Sequence, residues 1–208
     1  FDEFLEAKNH GIITRPVIIG PVSFLLLGKT LTEFNRFELL DNLLNAYCDL
    51  FDKLAKIGVV DLQIDEPFLV TDLSKEAIEA YKYSYKLLNE NKKSFKLHLA
   101  TYFEALDDNA DLAFSLETQS VHIDLVRGEK QFDNVLNLVK NNQILSLGVV
   151  DGRNIWINNL DKSINLVKKA IAKITKDRII VGPSCQLLHV PVDLDLETRS
   201  EEHTSELQ

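Results

Sequence analysis

Phe37 to Pro67 reads FELLDNLLNAYCDLFDKLAKIGVVDLQIDEP, and its periodicity changes once along the way. Up to Ile57, the residues Leu39, Leu40, Leu43, Leu44, Tyr47, Leu50, Phe51 and Leu54 recur at three-and-four spacing. That spacing gives a helix one apolar face, and Gly58 is its stop. Val59 to Ile64 is then short, apolar and β-branched, the length of a strand buried on both faces. Pro67 disfavours a return to helix and leaves Asp65 and Glu66 at the strand end. An amphipathic helix feeding a two-side-buried strand is the repeating unit of a parallel sheet.

The same alternation runs through the rest of the chain. Further strand-like runs are Pro16–Gly20, Lys96–Thr101, Ser120–Leu125, Ile144–Val150 and Arg178–Gly182. Ser74 opens a second helix with Ala77, Ile78, Tyr81 and Tyr85 on one face, and Ser74-Lys75-Glu76-Ala77 lacks only the Glu of a full capping box. Shorter helical patterns cover Asn109–Leu116 and Lys130–Val139, and Asp161 is the expected cap of a longer one through Lys173. The reading is α/β, with six βα units whose parallel strands are joined by right-handed crossovers, in a doubly wound sheet or a (β/α)8 barrel. No GxGxxG follows any strand, so the barrel is favoured, incomplete at about six of its eight units.

At 208 residues, 45% hydrophobic and 26% charged, the chain can bury one sizeable core. A formal net charge of −9 argues against nucleic acid as a partner. The longest apolar stretches, such as Val22 to Leu27, are too short to span a bilayer, and no signal-peptide pattern is present, so a cytoplasmic protein without membrane contact is expected. Cys48 and Cys185 lack CxxC spacing and read as reduced thiols. The absence of Met suggests an internal piece of a longer product. The expected domain is 1–198. The polar run from Arg199 to Gln208 resembles the in-frame translation of a sequencing-library adapter and is expected to be a non-native tail.

Function in a barrel collects at the carboxyl ends of the strands. Those ends present Asp65 and Glu66, then Thr101-Tyr102, then Asp124 with Arg127-Gly128 beyond, then Asp151-Gly152-Arg153-Asn154-Ile155-Trp156. The last string is the best local signal for recognition of an anion; its plainer reading is a turn whose Arg pairs with Asp151. Asp65 has a plain reading too, as the cap of the following turn. His122 and Asp124 share a strand face, and His98 on the neighbouring strand makes a third candidate metal ligand, although spacing does not fix its face. Satisfied histidines are the commoner outcome. Leu27-Gly28-Lys29-Thr30 lacks the upstream Gly of a phosphate loop, with Ser23 in that place, and reads better as a helix end or loop. Cys185 and His189 suggest a thiol and its base, but activation needs a close cation that spacing does not supply.

Several strings together resemble the cobalamin-independent methionine synthase family: Gly20-Pro-Val-Ser-Phe24, Leu26-Leu-Gly-Lys29, Gln63-Ile-Asp-Glu-Pro67, Thr101-Tyr-Phe-Glu104, His122-Ile-Asp-Leu125, Gly152-Arg-Asn-Ile-Trp156 and Pro183-Ser-Cys-Gln-Leu-Leu-His189. They resemble its N-terminal barrel in order over residues 1–198. The resemblance implies two (β/α)8 barrels and methyl transfer from 5-methyltetrahydropteroyl-polyglutamate to homocysteine. It implies zinc in a C-terminal barrel outside this sequence, and no membrane or nucleic-acid partner for a monomeric enzyme. The N-terminal barrel then binds the folate tail and packs on its zinc-bearing counterpart. The positions corresponding to the zinc ligands are Leu99, Thr101, Asp124 and Cys185 here, so no zinc is expected in this barrel and no catalytic residue is assigned to it. Arg153 takes the place of a proton-donor histidine, and Asp65 that of an aspartate that contacts the amino acid. Asp65, Glu66, Arg127, Asp151, Arg153 and Asn154 are therefore the expected substrate-binding set. Two rival readings remain at this level: a metal-dependent barrel hydrolase using His98, His122 and Asp124, and a stand-alone folate-binding barrel.

Overall fold

The computed structural model describes residues 1–193. The tail expected at 199–208, and the end of the expected 1–198 domain, lie outside the described residues. In chain order the elements are α1 (Asp2–Asn9), β1 (Val17–Ile19), α2 (Pro21–Leu27), α3 (Leu40–Lys56), β2 (Asp61–Asp65), α4 (Lys75–Asn91), β3 (Lys96–Ala100), α5 (Ala110–Ser115), β4 (Ser120–Asp124), α6 (Phe132–Leu138), β5 (Ile144–Val150), α7 (Leu160–Lys173) and β6 (Ile179–Pro183).

All six strands are parallel and lie in one sheet in chain order, β1 to β6. A doubly wound sheet reverses its strand order at a switch point, whereas a barrel adds each strand beside the last. Sequential order therefore settles the choice left by alternation: this is a run of consecutive barrel strands. Alternation along each strand separates two environments. Leu62 and Ile64, Leu97, Val121 and Ile123, and Leu145 and Leu147 have no exposed surface and belong to the core between sheet and helices. Gln63, His98, Ser120, His122 and Ser146 line the opposite, concave face.

The helices supply the other half of the core. On α3, Leu44 and Phe51 are fully buried, Leu40, Tyr47 and Leu54 nearly so, as the three-and-four spacing requires. Each fully buried side chain of this kind contributes about 1.5–3 kcal/mol over leaving it exposed. Phe51 also meets Phe95 edge to face at 5.1 Å. Ser74 caps α4, its hydroxyl accepting from the Ala77 N–H at 3.1 Å. The cap expected at Asp161 is instead Asn159, whose side chain accepts from the Lys162 N–H at 3.0 Å. Asp161 sits in the first turn, where a carboxylate still favours the positive end of the helix dipole. Among the described residues no helix is long and apolar enough to cross a membrane.

Gly28 ends α2 with an extended backbone rather than opening a helix after a strand, so Leu27-Gly28-Lys29-Thr30 is a helix end. The Arg36 guanidinium donates to the last carbonyls of α2, Leu25 at 3.2 Å and Leu26 at 2.9 Å, groups that would otherwise lack partners.

Candidate functional site

The concave face encloses a cavity of about 800 Å³, and its polar groups are already bonded to one another. His98 Nε2 lies 2.6 Å from Asp61 and its Nδ1 2.7 Å from the Ser120 hydroxyl. A carboxylate only accepts, so Nε2 carries the proton and Nδ1 accepts from Ser120. His122 repeats the pattern one register step on, donating Nε2–H to the Ser184 carbonyl at 3.2 Å and accepting from Ser146 at 2.9 Å. Burial lowers both imidazole pKa values and holds the rings neutral. His98 does share the concave face with His122 and Asp124, but both rings have both nitrogens engaged. Among the described residues no three His, Cys, Asp or Glu side chains are grouped as a metal site needs.

Asp65 and Glu66 point to different worlds. Asp65 enters the concave face, where it accepts from Gln63 Nε2 at 2.8 Å, the Tyr102 hydroxyl at 3.0 Å and Gln186 Nε2 at 3.1 Å. Glu66 was expected at the lip as a substrate-binding carboxylate; the structure corrects this. Alternation turns it toward the helices, where it is 0% exposed and accepts from the Ser23 N–H at 2.9 Å and the Tyr85 hydroxyl at 3.3 Å. A solute in the cavity cannot reach it. Burial pushes its pKa up to about 7 against the opposing hydrogen bonds from Ser23, Tyr81 and Tyr85.

The remaining expected residues do come together at the carboxyl ends of β4 and β5. Asp124, 0% exposed, organises them: Oδ1 accepts from the Val126 and Arg127 N–H groups at 2.9 Å, and Oδ2 from the Phe103 N–H at 3.2 Å. Asp151 accepts from the Arg153 N–H at 2.9 Å and from Asn154 Nδ2 at 2.8 Å, a side-chain-closed turn. Burial raises the Asp151 carboxyl, but those hydrogen bonds and the charge of Arg127 outweigh it and hold the group below its ordinary value. The arginine that pairs with Asp151 is Arg127, at 3.5 Å, and not Arg153 of the same turn. Arg127 also lies 3.8 Å from Asp124. The Arg153 guanidinium instead lies over the Phe103 ring, 4.9 Å from its centroid.

Tyr102, Phe103 and Gln186, which link Asp65 to this lip, stand in motifs legible in the sequence, but nothing in those strings reveals that they meet Asp65 and Arg153. Cys185 is buried, its thiol donating to the Gln186 carbonyl at 3.5 Å, and burial raises its pKa. It is the opposite of an activated nucleophile. The four positions that correspond to zinc ligands do not form a donor set: Leu99 is buried in the core, Thr101 donates to the His122 carbonyl at 2.8 Å, and Asp124 is saturated by backbone N–H groups. These residues do not fit zinc.

Residues 1–175 match the family model described as cobalamin-independent synthase, N-terminal domain. The 5-methyltetrahydropteroyltriglutamate–homocysteine methyltransferase of Salinibacter ruber is 48% identical over 198 residues, covering 94% of this chain. That of Saccharomyces cerevisiae is 47% identical over 201 residues, covering 95% of it. The chain spans 26% of the length of each. A solved B12-independent methionine synthase from Shewanella sp. W3-18-1 superimposes with a TM-score of 0.72 at 12% identity, covering 92% of this chain and 60% of the other, which speaks for the barrel fold alone. The chain belongs to the N-terminal domain family of the cobalamin-independent synthases.

Proposed function

We propose that these residues are the non-catalytic N-terminal barrel of a cytoplasmic, monomeric methionine synthase. The complete enzyme transfers a methyl group from 5-methyltetrahydropteroyl-polyglutamate to homocysteine without cobalamin. The observation that carries the reading is near-50% identity, over almost all of this chain, to methyltransferases named for that reaction. Zinc, which would hold the homocysteine thiolate, belongs to a second barrel beyond these residues. The role left to this barrel is binding and scaffolding. Its lip offers a guanidinium, Arg153, suited to the carboxylates of a folate tail, above a rigid floor of paired side chains.

The test is methyl transfer by the complete enzyme, assembled from the coding sequence that flanks these residues, with methyltetrahydropteroyl-triglutamate, homocysteine and no cobalamin. Turnover is expected. A folded complete chain that transfers no methyl group overturns the reading.

A further inference from the structure

Phe103 carries φ +85°, a left-handed backbone that side chains rarely adopt and that bulky residues adopt only when their surroundings enforce it. Two contacts enforce it. The Phe103 N–H is held by the buried carboxylate of Asp124 at 3.2 Å, and the ring packs edge to face on Tyr102 at 4.6 Å. Tyr102 is itself fixed by Asp65 at 3.0 Å and Gln186 at 3.2 Å. The result is an aromatic face at the rim, and Arg153 lies over it.

The two arginines of the lip differ in what they have left to offer. Arg127 faces Asp151 and Asp124. Arg153 is exposed, and among the described residues no carboxylate pairs with its guanidinium. A guanidinium held over an aromatic ring by its face keeps its N–H groups in its own plane, where they can bind a planar oxyanion with two hydrogen bonds. Asp65, Asp124 and Asp151 lie in the same neighbourhood, so a singly charged carboxylate is better tolerated there than a dianionic phosphate.

Resting on the function proposed above, we propose that Phe103 is a positioning residue for substrate: its ring sets the Arg153 guanidinium to take one carboxylate of the folate's glutamate tail. Arg127, by contrast, holds the lip together. The left-handed backbone is then the cost of presenting a ring where glycine would sit more easily.

The experiment uses the complete enzyme with methyltetrahydropteroyl-triglutamate as the varied substrate, comparing Phe103→Gly, Phe103→Tyr, Arg153→Ala and the Phe103→Gly/Arg153→Ala double variant. Glycine suits the left-handed backbone, so Phe103→Gly removes the ring without adding strain. The expected result is a KM about threefold to tenfold higher in Phe103→Gly with kcat within about twofold. Phe103→Tyr, which keeps the ring face, should restore KM, and the double variant should match Arg153→Ala alone. A raised KM in Arg153→Ala beside an unchanged KM in Phe103→Gly, or effects that simply add, overturns the role of Phe103 while leaving the folate-tail lip intact. Unchanged KM in Arg153→Ala overturns both.

Discussion

At the scale of the residue, Glu66 joins the most elements in the smallest space. Its carboxylate accepts from the third residue of α2 and from Tyr85 of α4, and a Cβ added to Gly20 would run into its Oε1. Glycine at position 20 leaves room for this carboxylate, and Gly20→Ala, which displaces it from its partners, should destabilise the fold by about 1–3 kcal/mol; equilibrium unfolding checks it. Burial raises the Glu66 pKa from 4.5 to about 7, so between those values the folded state binds the proton that the unfolded state has released. Its stabilising share is complete below pH about 4.5 and is lost as pH rises through about 7, a difference of about 3 kcal/mol. His98 and His122 act in the other sense: burial lowers their pKa, so stability falls as pH drops below the unfolded value near 6.5. Glu66→Gln, which keeps a donor and an acceptor, should gain in Tm over the parent as pH goes from 5 to 8. A difference that stays flat with pH counts against the buried carboxylate as its source. Both carboxylates of Gln63-Ile-Asp-Glu-Pro67 were plain in the sequence. What strand alternation could not reveal was that α2 would roof one of them.

At the scale of the element, legibility followed amphipathicity. Helices α3, α4 and α7 declare themselves because one face is apolar and the other is not, and the strands because they are short, largely apolar β-branched runs. The segment that became α2 does not, since Val22 and Leu25 are buried while Phe24 is 51% and Leu27 58% exposed, leaving no polar face for the period to show. The cap of α7 was misplaced by two residues for a related reason: Asn159 and Asp161 are both good capping types, and only the backbone bend decides between them. The two assignments predict different energetics. Asn159→Ala removes the bond to the Lys162 N–H and should cost about 1 kcal/mol. Asp161→Ala removes a charge near the helix end and should cost about 0.5 kcal/mol, fading with added salt. Denaturant midpoints for the two variants in low and high salt separate a cap from a dipole partner. The lip was legible in part. A Gly beside Asp, Arg and Asn announced a polar turn, yet which arginine paired with Asp151 depended on the approach of β4, over twenty residues earlier in the chain.

At the scale of the whole molecule, the edges of the sheet and the donor atoms of its concave face predict how these residues behave on their own. Each of β1 and β6 has one hydrogen-bonded strand neighbour among the described residues, and Val17 and Val181 on those strands are 51% and 54% exposed. An unpaired parallel edge is a template for another chain. Expressed by itself, the barrel should therefore self-associate as concentration rises, which sedimentation over a dilution series would reveal. The same isolated protein should neither hold zinc nor methylate homocysteine, for a reason independent of its edges. Making a thiol nucleophilic near neutral pH takes a metal or a cation beside the sulfur, and a zinc site takes several ligands converging on one point. Here Leu99 has no donor atom, Thr101 and Asp124 are tied to the backbone, and Cys185 is a buried thiol whose pKa is raised. Restoring the edges would not restore those ligands. Metal analysis and methyl-transfer assay of the dilute barrel are thus expected to read background. One zinc per chain with turnover would mean that the reactive half of the enzyme lies within these residues, and that the lip at Arg153 faces homocysteine chemistry rather than a folate tail.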